Sequence, residues 1–165
     1  MPSESARMST AAEARFRINA PNSQPRAVKV IALDAAGERV VQKLAAGKWS
    51  RASFLKAFGF SAENATTDQW LTDLTGNRKR LADEIDTADL VVMIATAGEN
   101  AAAAEIISDA CRRKRVMTTA LIVGSESKSD QALAQTLAKL RPNALMVVIA
   151  GSDEYIEDML TALRA

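Results

Sequence analysis

The sequence predicts an α/β fold: a doubly wound, mostly parallel sheet of four or five strands in a Rossmann-like three-layer sandwich. Three observations predict it. A unit of apolar run, small-residue turn and amphipathic helix recurs in "RAVKVIALDAAGERVVQKLAAG", "DLVVMIATAGENAAAAEIISDACRRKR", "VMTTALIVGSESKSDQALAQTLAKL" and "NALMVVIAGSDEYIEDMLTALRA". The apolar runs are continuous rather than alternating, as in strands buried on both faces of a parallel sheet. Strands that alternate with helices then imply right-handed crossovers and an open sheet.

The elements follow in order. Residues 1–25 are polar, end in the breaker "PNSQP", and are expected to form a mobile arm; residues 26–165 form one domain. In the first unit Val40, Val41 and Leu44 give the helix an apolar face, Glu38 lies in its first turn, and Gly47 is placed to end it. The stretch 48–87 is expected to be mostly helix. There "KWSRASFLKAFGF" reads as an edge strand or a short helix, while "TTDQWLTDL" and "NRKRLADEI" read as helices, the former capped by Thr66 or Thr67. Trp49, Trp70, Phe54, Phe58 and Phe60 are expected to pack in the core.

Composition narrows the function classes. With 165 residues, 48% of them apolar, the chain can bury one ordinary core. Lys and Arg total 21 against 20 Asp and Glu, so no general attraction to nucleic acid or a membrane surface is implied. There is no histidine, which removes Ser-His-Asp, Cys-His and His-based metal chemistry. Cys111 is the single cysteine, and no apolar run is long enough to span a bilayer. The first residues lack the apolar centre of a secretory signal, and a cytoplasmic location is expected.

In an open α/β sheet ligands bind beyond the carboxyl ends of the strands. The turns there are Asp34–Gly37, Thr96–Asn100, Gly124–Ser127 and Gly151–Glu154, each before a helix whose amino end favours an anion. Asp34, Gly37, Gly98, Glu99, Asn100, Ser125, Ser127 and Ser152 are therefore the candidate ligand-binding residues. Against a phosphate stand the carboxylates of Asp34, Glu38, Glu99, Glu126, Asp153 and Glu154 on the same rim; helix capping is their simpler use. Mg²⁺ bridging to a nucleotide, or a cationic or hydroxyl-rich ligand, would reconcile acids with a site. No Walker A, G-x-G-x-x-G or G-x-S-x-G sequence occurs. No catalytic residue, metal ligand set or particular cofactor is assigned.

Cys111 precedes "RRKR", where cations suit a helix carboxyl end and could lower a thiol pKa; a solvated basic face is the plainer expectation. In the last helix Tyr155, Ile156, Met159, Leu160 and Leu163 form an apolar stripe, expected to cover the chain's own sheet or a second copy.

"VKVIALDAAGERVVQKLAAG" resembles the opening strand, glycine-rich loop and helix of the tubulin/FtsZ GTPases. "ADLVVMIATAGENAAAAEIISDACRRKRVMTTALIVG" is similar to their later strand, signature loop and helix, and "LRPNALMVVIAGSDEYIEDML" to the segment that follows. The resemblance implies a nucleotide-binding fold. It also implies lost activity: Gly37 alone remains of the first glycine loop, and Gly98 alone of the phosphate-cradling G-G-G-T-G-[ST]-G signature. Alanine adds a methyl where the chain must approach phosphate closely. The family's acidic catalytic loop belongs to a second, C-terminal domain that the resemblance does not reach.

The sequence thus points to a non-catalytic α/β binding or regulatory domain that acts on a protein partner or a second copy of itself. The alternative is a nucleotide, cofactor or other small-molecule site, possessed or not of enzymatic activity, held by Asn100, Ser125, Ser127 and Ser152.

Overall fold

The computed structural model describes residues 24–57 and 69–165. Residues 1–23 of the expected arm, Phe58, Phe60 and the proposed caps Thr66 and Thr67 lie outside the described residues. A single sheet organises the rest: β1 (Val28–Ala32), β2 (Ala52–Lys56), β3 (Trp70–Asp73), β4 (Arg78–Arg80), β5 (Leu90–Thr96), β6 (Met117–Val123) and β7 (Met146–Ile149), in the order β4-β3-β2-β1-β5-β6-β7. The helices are α1 (Ala35–Ala45), α2 (Leu81–Asp86), α3 (Ala103–Lys114), α4 (Asp130–Leu140) and α5 (Asp153–Ala162).

The four units read as strand, turn and helix form β1–α1, β5–α3, β6–α4 and β7–α5. All neighbouring pairs from β2 through β1, β5 and β6 to β7 are parallel, so their carboxyl ends share one edge. Every residue of β1 and β5 is buried, as continuous Val, Ile and Leu runs require when both faces are covered. Val28, Val30 and Ala32 face Val41 and Leu44 of α1 and Ile156 and Leu160 of α5. Ile31 and Leu33 face the opposite layer, where Leu81 and Ile85 of α2, Ile107 and Cys111 of α3, and Leu140 of α4 pack. The period of two along each strand separates the two cores.

The seven strands among the described residues correct the expected four or five, and the added ones come from 48–87, expected to be mostly helix. β2 pairs with β1 and with β3, so it is an interior strand rather than an edge. β3 and β4 form an antiparallel hairpin, Trp70 opposite Arg80 and Thr72 opposite Arg78. Its turn is closed by Asp73, whose Oδ1 accepts from the backbone N–H of Thr75 and Asn77, both at 2.9 Å, while Gly76 takes φ +94°. That local turn chemistry outweighs the helical propensity of the flanking residues. Only the second half of "NRKRLADEI" is helical, as α2.

Two further expectations change. Trp70 is exposed, and the Arg78 guanidinium lies 4.9 Å from its ring centroid, a cation–π contact across the hairpin. Trp49 is half-buried against Phe54 and donates its indole N–H to the Leu44 carbonyl at 2.6 Å, just past the end of α1. β7, expected to be covered on both faces, is the last strand of the sheet and leaves Met146 and Ile149 each 45% exposed. Among the described residues no helix is long and apolar enough to cross a membrane.

Candidate functional site at the strand carboxyl ends

From β1 the chain crosses to β2 on one side, whereas β5 lies on the other, so the strand order reverses between β1 and β5. The α1 crossover covers one face of the sheet and α3 the other. This reversal is where open α/β sheets hold ligands.

Asp34 occupies it. The link from β1 to α1 is only Leu33 and Asp34, and Asp34 is the α1 N-cap with extended backbone (φ −144°, ψ 170°). Its Oδ1 accepts from the Gly37 N–H at 2.7 Å, as an N-cap does, and also from the Thr96 hydroxyl at 2.8 Å. Oδ2 accepts from the Thr96 N–H at 2.7 Å. A carboxylate buried among backbone amides at a helix amino end is bound as a phosphate would be, by aligned N–H groups and the helix dipole. Here the anion belongs to the chain.

The first turn of α1 is pressed onto β5. A Cβ on Gly37 would lie 3.1 Å from the Ile94 carbonyl oxygen and 3.3 Å from Asp34 Oδ1. Glycine is present for close approach, with no room between helix and strand for a ligand group.

The turn after β5 is also committed. Gly98 takes φ +81°, and its N–H donates to the Thr136 hydroxyl at 2.9 Å; the hydroxyl in turn donates to the Ala132 carbonyl within α4. A Cβ at Gly98 would meet the Ala132 methyl at 3.3 Å. Glu99 is exposed to solvent, its N–H donating to the Thr96 carbonyl. Asn100 Oδ1 accepts from the Ala102 N–H at 2.9 Å, turning the chain into α3.

Ser125 and Ser127 form a 3₁₀ turn after β6, with the Ser127 hydroxyl donating to the Gly124 carbonyl. Ser152 caps α5, its hydroxyl accepting from the Tyr155 N–H. Asp34 therefore gathers Gly37 and Thr96, whereas Gly98 is held instead by Thr136 and packs on the α4 segment into which the Ser125–Ser127 turn leads. Ser152 lies two strands away from β5, roughly 10 Å along the edge.

The acidic rim resolves into separate roles. Glu38 pairs with Lys56 at 2.7 Å and Asp153 with Lys43 at 2.8 Å, while Glu126 and Glu154 are exposed. No group of three or more Asp, Glu or Cys side chains among the described residues is arranged to hold a metal ion. A cavity of about 550 Å³ lies between α3 and α4 and one of about 360 Å³ near the amino end of β6; neither is lined by Asp34, Gly37 or Thr96. Cys111 is buried, and desolvation raises its thiol to about 12, opposite to what an activated nucleophile needs. Arg112 is engaged with Asp109 and the Pro142 carbonyl, and Lys114 with Asp86.

Thr136 was not foreseen from the sequence, and Thr96, though counted in the turn after β5, was not among the candidate ligand-binding residues. Thr96 had a signal, a lone hydroxyl ending an otherwise apolar strand beside the strand that ends at Asp34. Thr136 had none, since its partner lies 38 residues away.

No family model matches the chain, and no curated protein matches it. Among solved structures it is similar to translation elongation factor SelB from Methanococcus maripaludis in complex with the GTP analogue GppNHp, at 12% identity and a TM-score of 0.47 over 85% of this chain. It is similar to the apo form of that factor at 12% identity and a TM-score of 0.41 over 86% of this chain. The chain spans about a third of the length of those proteins, 33% and 35%. At TM-scores below 0.5 neither overlap assigns a family, and neither neighbour is a tubulin or an FtsZ.

Proposed function

We propose that this chain is a non-catalytic α/β binding domain that works through contact with another protein, its nucleotide-type position closed by its own Asp34. The observation that carries the reading is the buried carboxylate at the β1/β5 reversal, which uses the Gly37 and Thr96 N–H groups that a phosphate would need. A phosphate entering there must displace a satisfied carboxylate or sit beside its negative charge, and both are unfavourable without a metal. On this reading the chain is a degenerate relative of the tubulin/FtsZ nucleotide-binding domain that has replaced glycine loops with a side-chain lock. A cytoplasmic location belongs to the same reading.

Thermal denaturation with GTP, ATP, NAD, FAD and coenzyme A, each with and without Mg²⁺, tests it. The expected result is no shift. A ligand bound at about 100 times its dissociation constant would add about 2.7 kcal/mol of stability, and such a shift would favour the alternative, a small-molecule or nucleotide site on the rim at Asn100, Ser125, Ser127 and Ser152.

A further inference from the structure

The two edges of the sheet differ. β4 is three residues long and entirely cationic, Arg78-Lys79-Arg80, with all three residues exposed. Charged, short edges repel further strands. At the other edge, Ala144 through Ala150 contains no charged residue, no proline and no glycine, and β7 within it pairs only with β6 among the described residues. Of the exposed large apolar side chains there, Leu145 (77%), Met146 (45%), Ile149 (45%) and the neighbouring Met117 (48%) gather at this edge; Trp70 and Tyr155 lie elsewhere. The parallel register places Thr119 beside Met146, so Met117 and Met146 share one face, with Leu145 and Ile149 on the other. An uncharged apolar edge with free backbone groups is a template for another strand.

We infer that this edge pairs with the same edge of a second copy, β7 antiparallel to β7 about a two-fold axis, joining two sheets into one of 14 strands. Three features favour a second copy over an unrelated partner. A two-fold axis sets each residue near its own kind, and an uncharged strand tolerates that where Arg78–Arg80 would not. α4, which flanks the edge, carries Asp130 at its amino end and Arg141 just past its carboxyl end, both exposed and both turned away from the Thr136 side. Antiparallel to its mate, each α4 brings its Asp130 toward the other's Arg141. Between them, on the side opposite Thr136, α4 exposes only Gln131, Ala134 and Ala138, small or neutral residues that permit close approach. The inference extends the protein-contact reading by naming the partner, and it does not depend on what fills the β1/β5 reversal.

Sedimentation equilibrium on the full chain, with hydrogen exchange at residues 146–149 measured across protein concentration, tests it. The expected mass is twice 17.7 kDa, and exchange at 146–149 slows as the dimer forms. Met146→Lys and Ile149→Lys, at positions already half exposed, should each weaken dimerisation at least tenfold, whereas Tyr155→Lys should leave it unchanged. A monomer at 100 µM by that measurement, or a dimer whose 146–149 exchange is independent of concentration, overturns the inference. So does a dimer that survives both lysine substitutions in a chain whose melting transition shows it folded. A monomer result would leave the nucleotide experiment to judge the closed-site reading separately.

Discussion

Thr96 binds Asp34 twice, through its backbone N–H at 2.7 Å and its hydroxyl at 2.8 Å, and so ties the end of β5 to the N-cap of α1. The pair spans 62 residues of sequence and lies at the reversal of strand order. One side chain therefore caps a helix, joins the two central strands and fills the position where this architecture receives anions.

Replacing Asp34 by alanine removes the cap and strands three donors, two backbone N–H groups and a hydroxyl, in a buried place. Cap loss and unsatisfied donors together should cost about 3 to 5 kcal/mol. Asp34→Asn keeps a capping oxygen but turns one acceptor into a donor facing a donor, and should cost about 1 to 2 kcal/mol. Chemical denaturation followed by circular dichroism measures both, and equal losses would show that the capping oxygen asparagine retains contributes nothing.

Gly98 and Thr136 form the other lock. Thr136→Val leaves the Gly98 N–H without its acceptor and should destabilise by about 1 to 2 kcal/mol. Gly98→Ala strains a residue at φ +81° and crowds the Ala132 methyl, for a loss of about 1 to 3 kcal/mol. Because the two share a contact, a double-mutant cycle should give less than the sum of the single losses; strict additivity would place the two effects in separate contacts.

How far the sequence displayed this arrangement depends on where each signal lies. β1, β5 and β6 announce themselves, because burial on both faces demands unbroken runs such as "LVVMIAT", and the helices after them carry clear apolar faces. β2, β3 and β4 do not. "ASFLK", "WLTD" and "RKR" are short, mix charge with apolar residues, and become strands through pairing with each other and through the Asp73 turn. The candidate rim was legible as an edge, since each of its turns follows a parallel strand. Its closure was not: Asp34 reads as an ordinary helix cap, and only the register of β1 beside β5 reveals that Thr96 lies within reach.

Lys29 is buried on the central strand and pairs with Glu84 of α2 at 2.9 Å, both side chains less than 20% exposed. Lys29→Met leaves a poorly solvated carboxylate and should cost about 3 kcal/mol, whereas Lys29→Met combined with Glu84→Leu should recover most of that loss. Urea midpoints of the single and double variants decide between them. A double variant as unstable as the single one would mean that the pair itself stabilises the fold.

Asp73 is held down at about 2, first by its hydrogen bond from the Thr75 hydroxyl and further by the Asn77 and Thr75 backbone N–H groups. A carboxylate depressed in the folded state contributes stability that is present above its ordinary value of 3.8 and is lost as pH falls through about 2. The β3–β4 turn should therefore hold at pH 4 and loosen between pH 3.8 and 2. Carbon-13 shifts of the Asp73 carboxyl would follow this, and a midpoint near 3.8 would refute the turn's hold on the carboxylate.

The closure of the β1/β5 reversal is tested most directly by the amide resonances of Gly37 and Thr96 during titration of the full chain with GTP and Mg²⁺. Both N–H groups are already bound to Asp34, so their shifts should stay fixed to millimolar nucleotide. Saturable movement of both, with loss of their bonds to Asp34, would contradict the account and make this edge an open nucleotide site.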